Sequence, residues 1–109
     1  MPYSESLADR VRAALSRKRN IDEKKMFGCV CFLLNGNALG GVWNDRLIVR
    51  LGPEMGEAAI HEPHVRPFDI TGKPMRNWVA IDPEGIADDD QLTDWLERAL
   101  EFVKTLPKK

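Results

Sequence analysis

Cys29-Val30-Cys31 and His61-Glu62-Pro63-His64 contain every cysteine and histidine in the chain. Two thiols and two imidazoles are the ligand types of a zinc site. Structural zinc, however, usually takes its cysteines in pairs separated by roughly two to four residues, and here one residue intervenes. A disulfide fares no better. Positions i and i+2 of a strand lie about 6.7 Å apart on one face, whereas bonded cysteines need Cβ atoms within about 4.5 Å. The cysteines therefore read as small packing residues of a strand. Lys24 and Lys25 are the only nearby groups that would activate a thiolate. His61 and His64 read as solvated side chains of a polar turn. No cofactor, metal-ligating or catalytic residue is expected.

Other chemistry is equally sparse. Gly40-Gly41 has neither the Walker nor the Rossmann spacing that cradles phosphate. Asp88-Asp89-Asp90 suits the positive end of a helix dipole better than general acid–base work. Residues 10–25 hold seven Lys/Arg against two acids, and residues 82–101 hold eight acids against one Arg, so the two ends could attract each other. On a helical wheel Arg10 and Arg17 fall on one flank of the apolar stripe, and Arg12 and Arg19 on the other. A phosphate-tracking surface needs its cations gathered, so a nucleic-acid partner is disfavoured.

The elements that must position these residues follow from periodicity. Leu7, Val11, Ala14 and Leu15 recur at helical spacing, predicting a helix from Ser4 to about Lys18 that breaks off over residues 19–23. From Lys25 to Leu51 short apolar runs alternate with Asn35-Gly36-Asn37 and Asn44-Asp45, which predicts a three-strand meander. With two-residue turns, Cys31 would face Gly40 and Gly40 would face Val49. Cys29, Cys31, Leu33, Ala38, Gly40, Val42, Leu47, Val49 and Leu51 would then form the core face. Pro53 opens a short helix through Ile60. The Pro-rich segment 61–77 reads as a loop with an edge strand over 65–71, and Trp78–Ile81 as a strand. Leu92, Trp95, Leu96, Ala99, Leu100 and Val103 stripe a final helix from Gln91 to about Thr105, capped by Asp88–Asp90. The fold class is α+β: two layers, an antiparallel β-meander with N-terminal, short middle and C-terminal helices packed on it.

The opposite sheet face would carry Val30, Phe32, Leu34, Leu39, Trp43 and Ile48, with Arg46 and Arg50 on the third strand. So much bare apolar surface calls for a cover, either segment 61–77, a helix or another chain. Phe32, Trp43, Arg46, Ile48 and Arg50 are accordingly the candidate contact residues for a protein partner or a homodimer, since Trp and Arg are enriched at such contacts.

The 109 residues suit one domain over 1–109, large enough to bury about 65% of its unfolded surface. The balance of 43% hydrophobic and 30% charged residues is that of a globular chain. No apolar run approaches the roughly 20 residues of a membrane span, and the first ten residues lack a secretory pattern. A cytoplasmic location is expected.

KKMFG at 24–28, the NGN turn, DRLIVRLGPE at 45–54, TGKPMRNWVAIDPEG at 71–85 and the closing TLPKK together resemble the N-terminal domain family of the TfoX/Sxy competence regulators. The likeness spans nearly the whole chain, in a short stand-alone form without the second, C-terminal helical domain of the full-length regulators. It implies a helix-backed antiparallel sheet and a non-catalytic role in a bacterial cytoplasm, regulatory or protein-binding, and it supplies no catalytic residues. The alternative is a small enzyme or ligand-binding protein with a site assembled from distant segments around His61, His64 and Arg66.

Overall fold

The computed structural model describes residues 3–26, 29–68 and 77–108. Helix α1 spans Glu5–Leu15, and Ser4 caps it by accepting the Leu7 N–H on its Oγ at 3.2 Å. Four strands follow as a meander: β1 Ile21–Met26, β2 Cys29–Leu34, β3 Asn37–Trp43 and β4 Arg46–Arg50. The β2–β3 and β3–β4 turns have two residues each. Asn35, Gly36 and Asn44 take positive φ there, which asparagine and glycine accept most readily. Helix α2 (Pro53–Ala59), strands β5 (Val65–Pro67) and β6 (Trp78–Ile81), a 3₁₀ turn over Pro83–Ile86 and helix α3 (Asp89–Val103) complete the chain. The Gln91 side chain accepts the Asp88 N–H at 3.0 Å, the reciprocal half of a capping box.

The six strands form one antiparallel sheet in the order β1-β2-β3-β4-β6-β5. On one face the stripes of α1 and α3 pack with Val30, Phe32, Leu39, Val42, Leu47, Val49, Val79 and Ile81 as the main core. This is the predicted α+β class, an antiparallel meander backed by three helices.

Two details differ from the sequence expectation. The meander has four strands, because Ile21–Met26 pairs with β2 where a break in the helix was all the pattern predicted. Cys31 also faces Gly41 rather than Gly40, although Gly40 does face Val49. A β-bulge between Phe32 and Leu33 causes this shift: Leu33 pairs with Ala38 and Phe32 with Gly40, leaving Leu39 as the extra residue. One inserted residue reverses the facing of β2 relative to β4. Val30, Phe32 and Leu39 therefore enter the main core, while Cys29, Cys31 and Leu33 turn to the opposite face. Leu47, Val49 and Leu51 sit in the core as expected.

The two glycines of β3 have a steric reason. A Cβ on Gly40 would lie 2.5 Å from the Ile48 carbonyl oxygen, and one on Gly41 would collide with the Val30 carbonyl oxygen. The bulged strand thus approaches both neighbours too closely for any side chain. Of the predicted edge strand over 65–71, Val65–Pro67 is formed, and residues 69–71 lie outside the described residues.

Candidate functional site

The face of the sheet opposite α1 and α3 carries a second, smaller cluster. Ile48, Phe68 and Ala80 are buried there, with partly exposed Trp43 and Trp78 packed around them. Strand alternation places Ile48 on β4 across from Ala80 on β6. Phe68, just past β5, reaches over both. The Trp43 and Phe68 ring centroids lie 5.7 Å apart at 72°, an edge-on contact, and Phe68 and Trp78 lie 6.3 Å apart at 48°. The Pro-rich segment thus supplies part of the cover this face needs.

Charged groups border the cluster. Arg46 donates through Nε to Asp82 Oδ1 at 2.9 Å, and Arg66 through Nη2 to Oδ2 at 2.8 Å, so two strands share one carboxylate. These bonds, Arg66 first, hold the Asp82 carboxyl below its ordinary value despite opposing desolvation. At the other end of β4, Arg50 faces Trp78 in register. Its Nη1 donates to the Ala38 carbonyl at 3.4 Å, and its guanidinium carbon sits 5.8 Å from the Phe102 ring centre.

Three of the five residues expected on a contact face, Trp43, Arg46 and Ile48, share this face; Arg50 starts from it by register, but its guanidinium reaches Phe102 of α3. Phe32 does not: it is 2% exposed and belongs to the main core, because the bulge turns β2 over. Phe68, Trp78, Ala80 and Asp82 complete the cluster. Trp78 was visible as part of an apolar run, and Phe68 as the one aromatic residue of the Pro-rich segment. The Asp82 pairing leaves no local signal, since its arginines lie 36 and 16 residues away.

The remaining candidates are dispersed. Cys31 is buried and its thiol is pushed up to about 11 by desolvation, with Cys29 adding to the shift and Lys24 opposing it. Burial raises the Cys29 thiol too. Among the described residues no group of three or more His, Cys, Asp and Glu is placed to hold a metal ion. His64 Nδ1 lies 4.0 Å from Glu84, His61 is exposed on the connection after α2, and Arg66 is engaged by Asp82. Clefts of about 230, 290 and 280 Å³ border α1, and none is lined by His61, His64 or Arg66.

The basic start and the acidic end meet within the fold. Arg10 pairs with Asp89 at 3.1 Å and donates to the Ile86 carbonyl at 2.7 Å, while Lys18 pairs with Glu97 at 3.0 Å. Arg12 forks onto Glu23 of β1 through Nε and Nη2, both at 2.7 Å. That hydrogen bond lowers the Glu23 carboxyl and raises the Arg12 guanidinium. These arginines are occupied in joining α1 to its neighbours. Among the described residues no helix is long and apolar enough to cross a membrane.

An open antiparallel sheet with helices on one face and an arginine-bordered aromatic cluster on the other defines a helix-backed α+β protein. The chain belongs to the TfoX N-terminal domain family, whose model matches residues 13–103. Among solved structures it is similar to the crystal structure of Deinococcus radiodurans protein DR2400, which carries the DUF419 family-model domain. The TM-score is 0.68 at 18% identity, covering 92% of this chain and 81% of that one, a likeness of fold. No curated protein matches.

Proposed function

We propose that this chain is a non-catalytic regulatory module of the bacterial cytoplasm that acts by binding another protein through the Trp43–Trp78 face of its sheet. The observation that carries this reading is the second cluster itself. Two tryptophans remain partly exposed around a buried Ile48–Phe68–Ala80 centre, bordered by Arg46 and Arg66 at Asp82. Partly exposed indoles beside arginines are the side chains that most often dominate protein contacts. Membership of the TfoX N-terminal domain family is consistent with a regulatory role of the kind competence regulators perform.

The test compares affinity capture from a bacterial extract by the wild-type chain, Trp43→Ala and Met55→Ala. Met55 is an exposed side chain on α2, 54% accessible and away from this face. A partner retained by Met55→Ala should bind Trp43→Ala at least about 30-fold more weakly, the scale of a lost hot-spot tryptophan. Equal retention by both variants would overturn the assignment of the face. Light-scattering mass of the pure chain separates a foreign partner from a second copy.

A further inference from the structure

We infer that strand β5 and Phe68 form a releasable strap over this face: they lift from β6 as one unit, with the Arg66–Asp82 pair as the latch, while the helix-backed core stays folded. Such a strap would act whether or not the face is a protein contact.

Strand β5 has three residues, stands last in the sheet and pairs with β6 alone. Arg66 and Pro67 are exposed, and of the three only Val65 packs against the main core. Phe68 is buried, yet among the described residues its cluster has only Ile48 and Ala80 as further buried members and stands apart from the core under α1 and α3. A short edge ladder with few buried apolar contacts opens at a lower free energy than the whole fold. The chain enters β5 through His64, whose φ of 66° lies in the left-handed region. That residue rests against Gly85, where an added Cβ would come within 3.1 Å of the His64 Cβ. The change of direction before the strap is thus concentrated in one residue, as in a hinge.

Asp82 is held from two sides, and the sides differ. Arg46 on β4 is 30% exposed, whereas Arg66 on β5 is 55% exposed. Solvent competes more strongly for Arg66, while Arg46 keeps the carboxylate in place to receive it again. Lifting the strap would bare Ile48 and Ala80 between Trp43 and Trp78, because the Phe68 ring is the group that meets both indoles.

The ladder itself provides the test. The Asp82 N–H donates to the His64 carbonyl at 2.8 Å. Along an antiparallel strand, N–H groups two residues apart point to the same neighbour, so Ala80 also donates toward β5, and Val79 and Ile81 toward β4. NMR hydrogen exchange of these four amides in the intact chain, corrected for intrinsic rates, reads the two sides of β6 separately. Ala80 and Asp82 should share one opening constant, at least about 100-fold larger than that of Val79 and Ile81. Phe68→Ala should speed exchange at Ala80 and Asp82 at least about tenfold, with Val79 and Ile81 changed less than about twofold. Arg66→Ala should speed the same pair about twofold to fivefold, the scale of an exposed ion pair. Equal acceleration of all four amides in Phe68→Ala would mean that β5 opens only with the whole sheet, which overturns the inference. Wild-type rates at Ala80 and Asp82 in Phe68→Ala overturn it as well. Unchanged exchange in Arg66→Ala overturns the latch.

Discussion

Asp82 shows how a single residue binds distant segments together. Its carboxylate joins β4 to β5 through two arginines while sitting at the end of β6, and its side chain is only 16% exposed. Its folded value lies below the ordinary 3.8, so the stabilisation is complete above about pH 4 and is lost as pH falls through the folded value. Asp82→Asn should therefore cost about 1 kcal/mol at neutral pH, discounted for the exposure of Arg66. The difference should close in urea melts taken well below pH 4. Cys31 carries the opposite lesson. Burial pushes the Cys31 thiol up to about 11, so it holds little thiolate at neutral pH, and burial raises the Cys29 thiol as well.

At the scale of elements, the bulge in β3 decides which residues are core. Period-two alternation makes β2 and β4 legible separately, but it cannot report a residue inserted between them. The helices were legible because their apolar stripes recur without interruption, and β4 because Leu47 and Val49 alternate cleanly with Ile48. Strand β1 was not, because Asp22, Glu23, Lys24 and Lys25 leave it almost no apolar alternation. It forms because β2 provides a complete ladder and because Arg12 bonds Glu23. That Trp43, Arg46 and Ile48 lie on one side of the sheet was legible, whereas Phe32 was assigned to that side and lies in the main core, because the inserted residue intervenes. Gly41→Ala should test the bulge directly. A methyl group has no room against the Val30 carbonyl, so the urea midpoint should fall by an amount worth about 1–3 kcal/mol with an unchanged slope. A neutral substitution there would mean that β2 and β3 separate without cost.

For the whole molecule, charge and core play different parts. The ends attract through Arg10–Asp89 and Lys18–Glu97, but all four side chains are about a third or more exposed. Such pairs are worth little individually and are screened by salt. Raising sodium chloride to about 1 M should therefore lower the unfolding free energy by less than about 1 kcal/mol, as read from chemical denaturation. A loss of several kcal/mol would show that the ion pairs, not the buried stripes of α1 and α3, hold the layers together.

The composition of the two outermost strands constrains any complex this chain can form. β1 ends the sheet on one side with four consecutive charged residues, and β5 ends it on the other with three residues that include Pro67. Proline has no N–H to offer an incoming backbone, and charged flanks discourage edge-to-edge pairing. Neither rim is a good template for another strand. Among the described residues, a visitor that extended the sheet by backbone ladder would meet resistance at both ends, in keeping with the proposed contact through side chains on the broad face. On the proposed reading, specificity resides in the shape and charge of a surface, and sequence change there would alter partners without disturbing the ladder beneath.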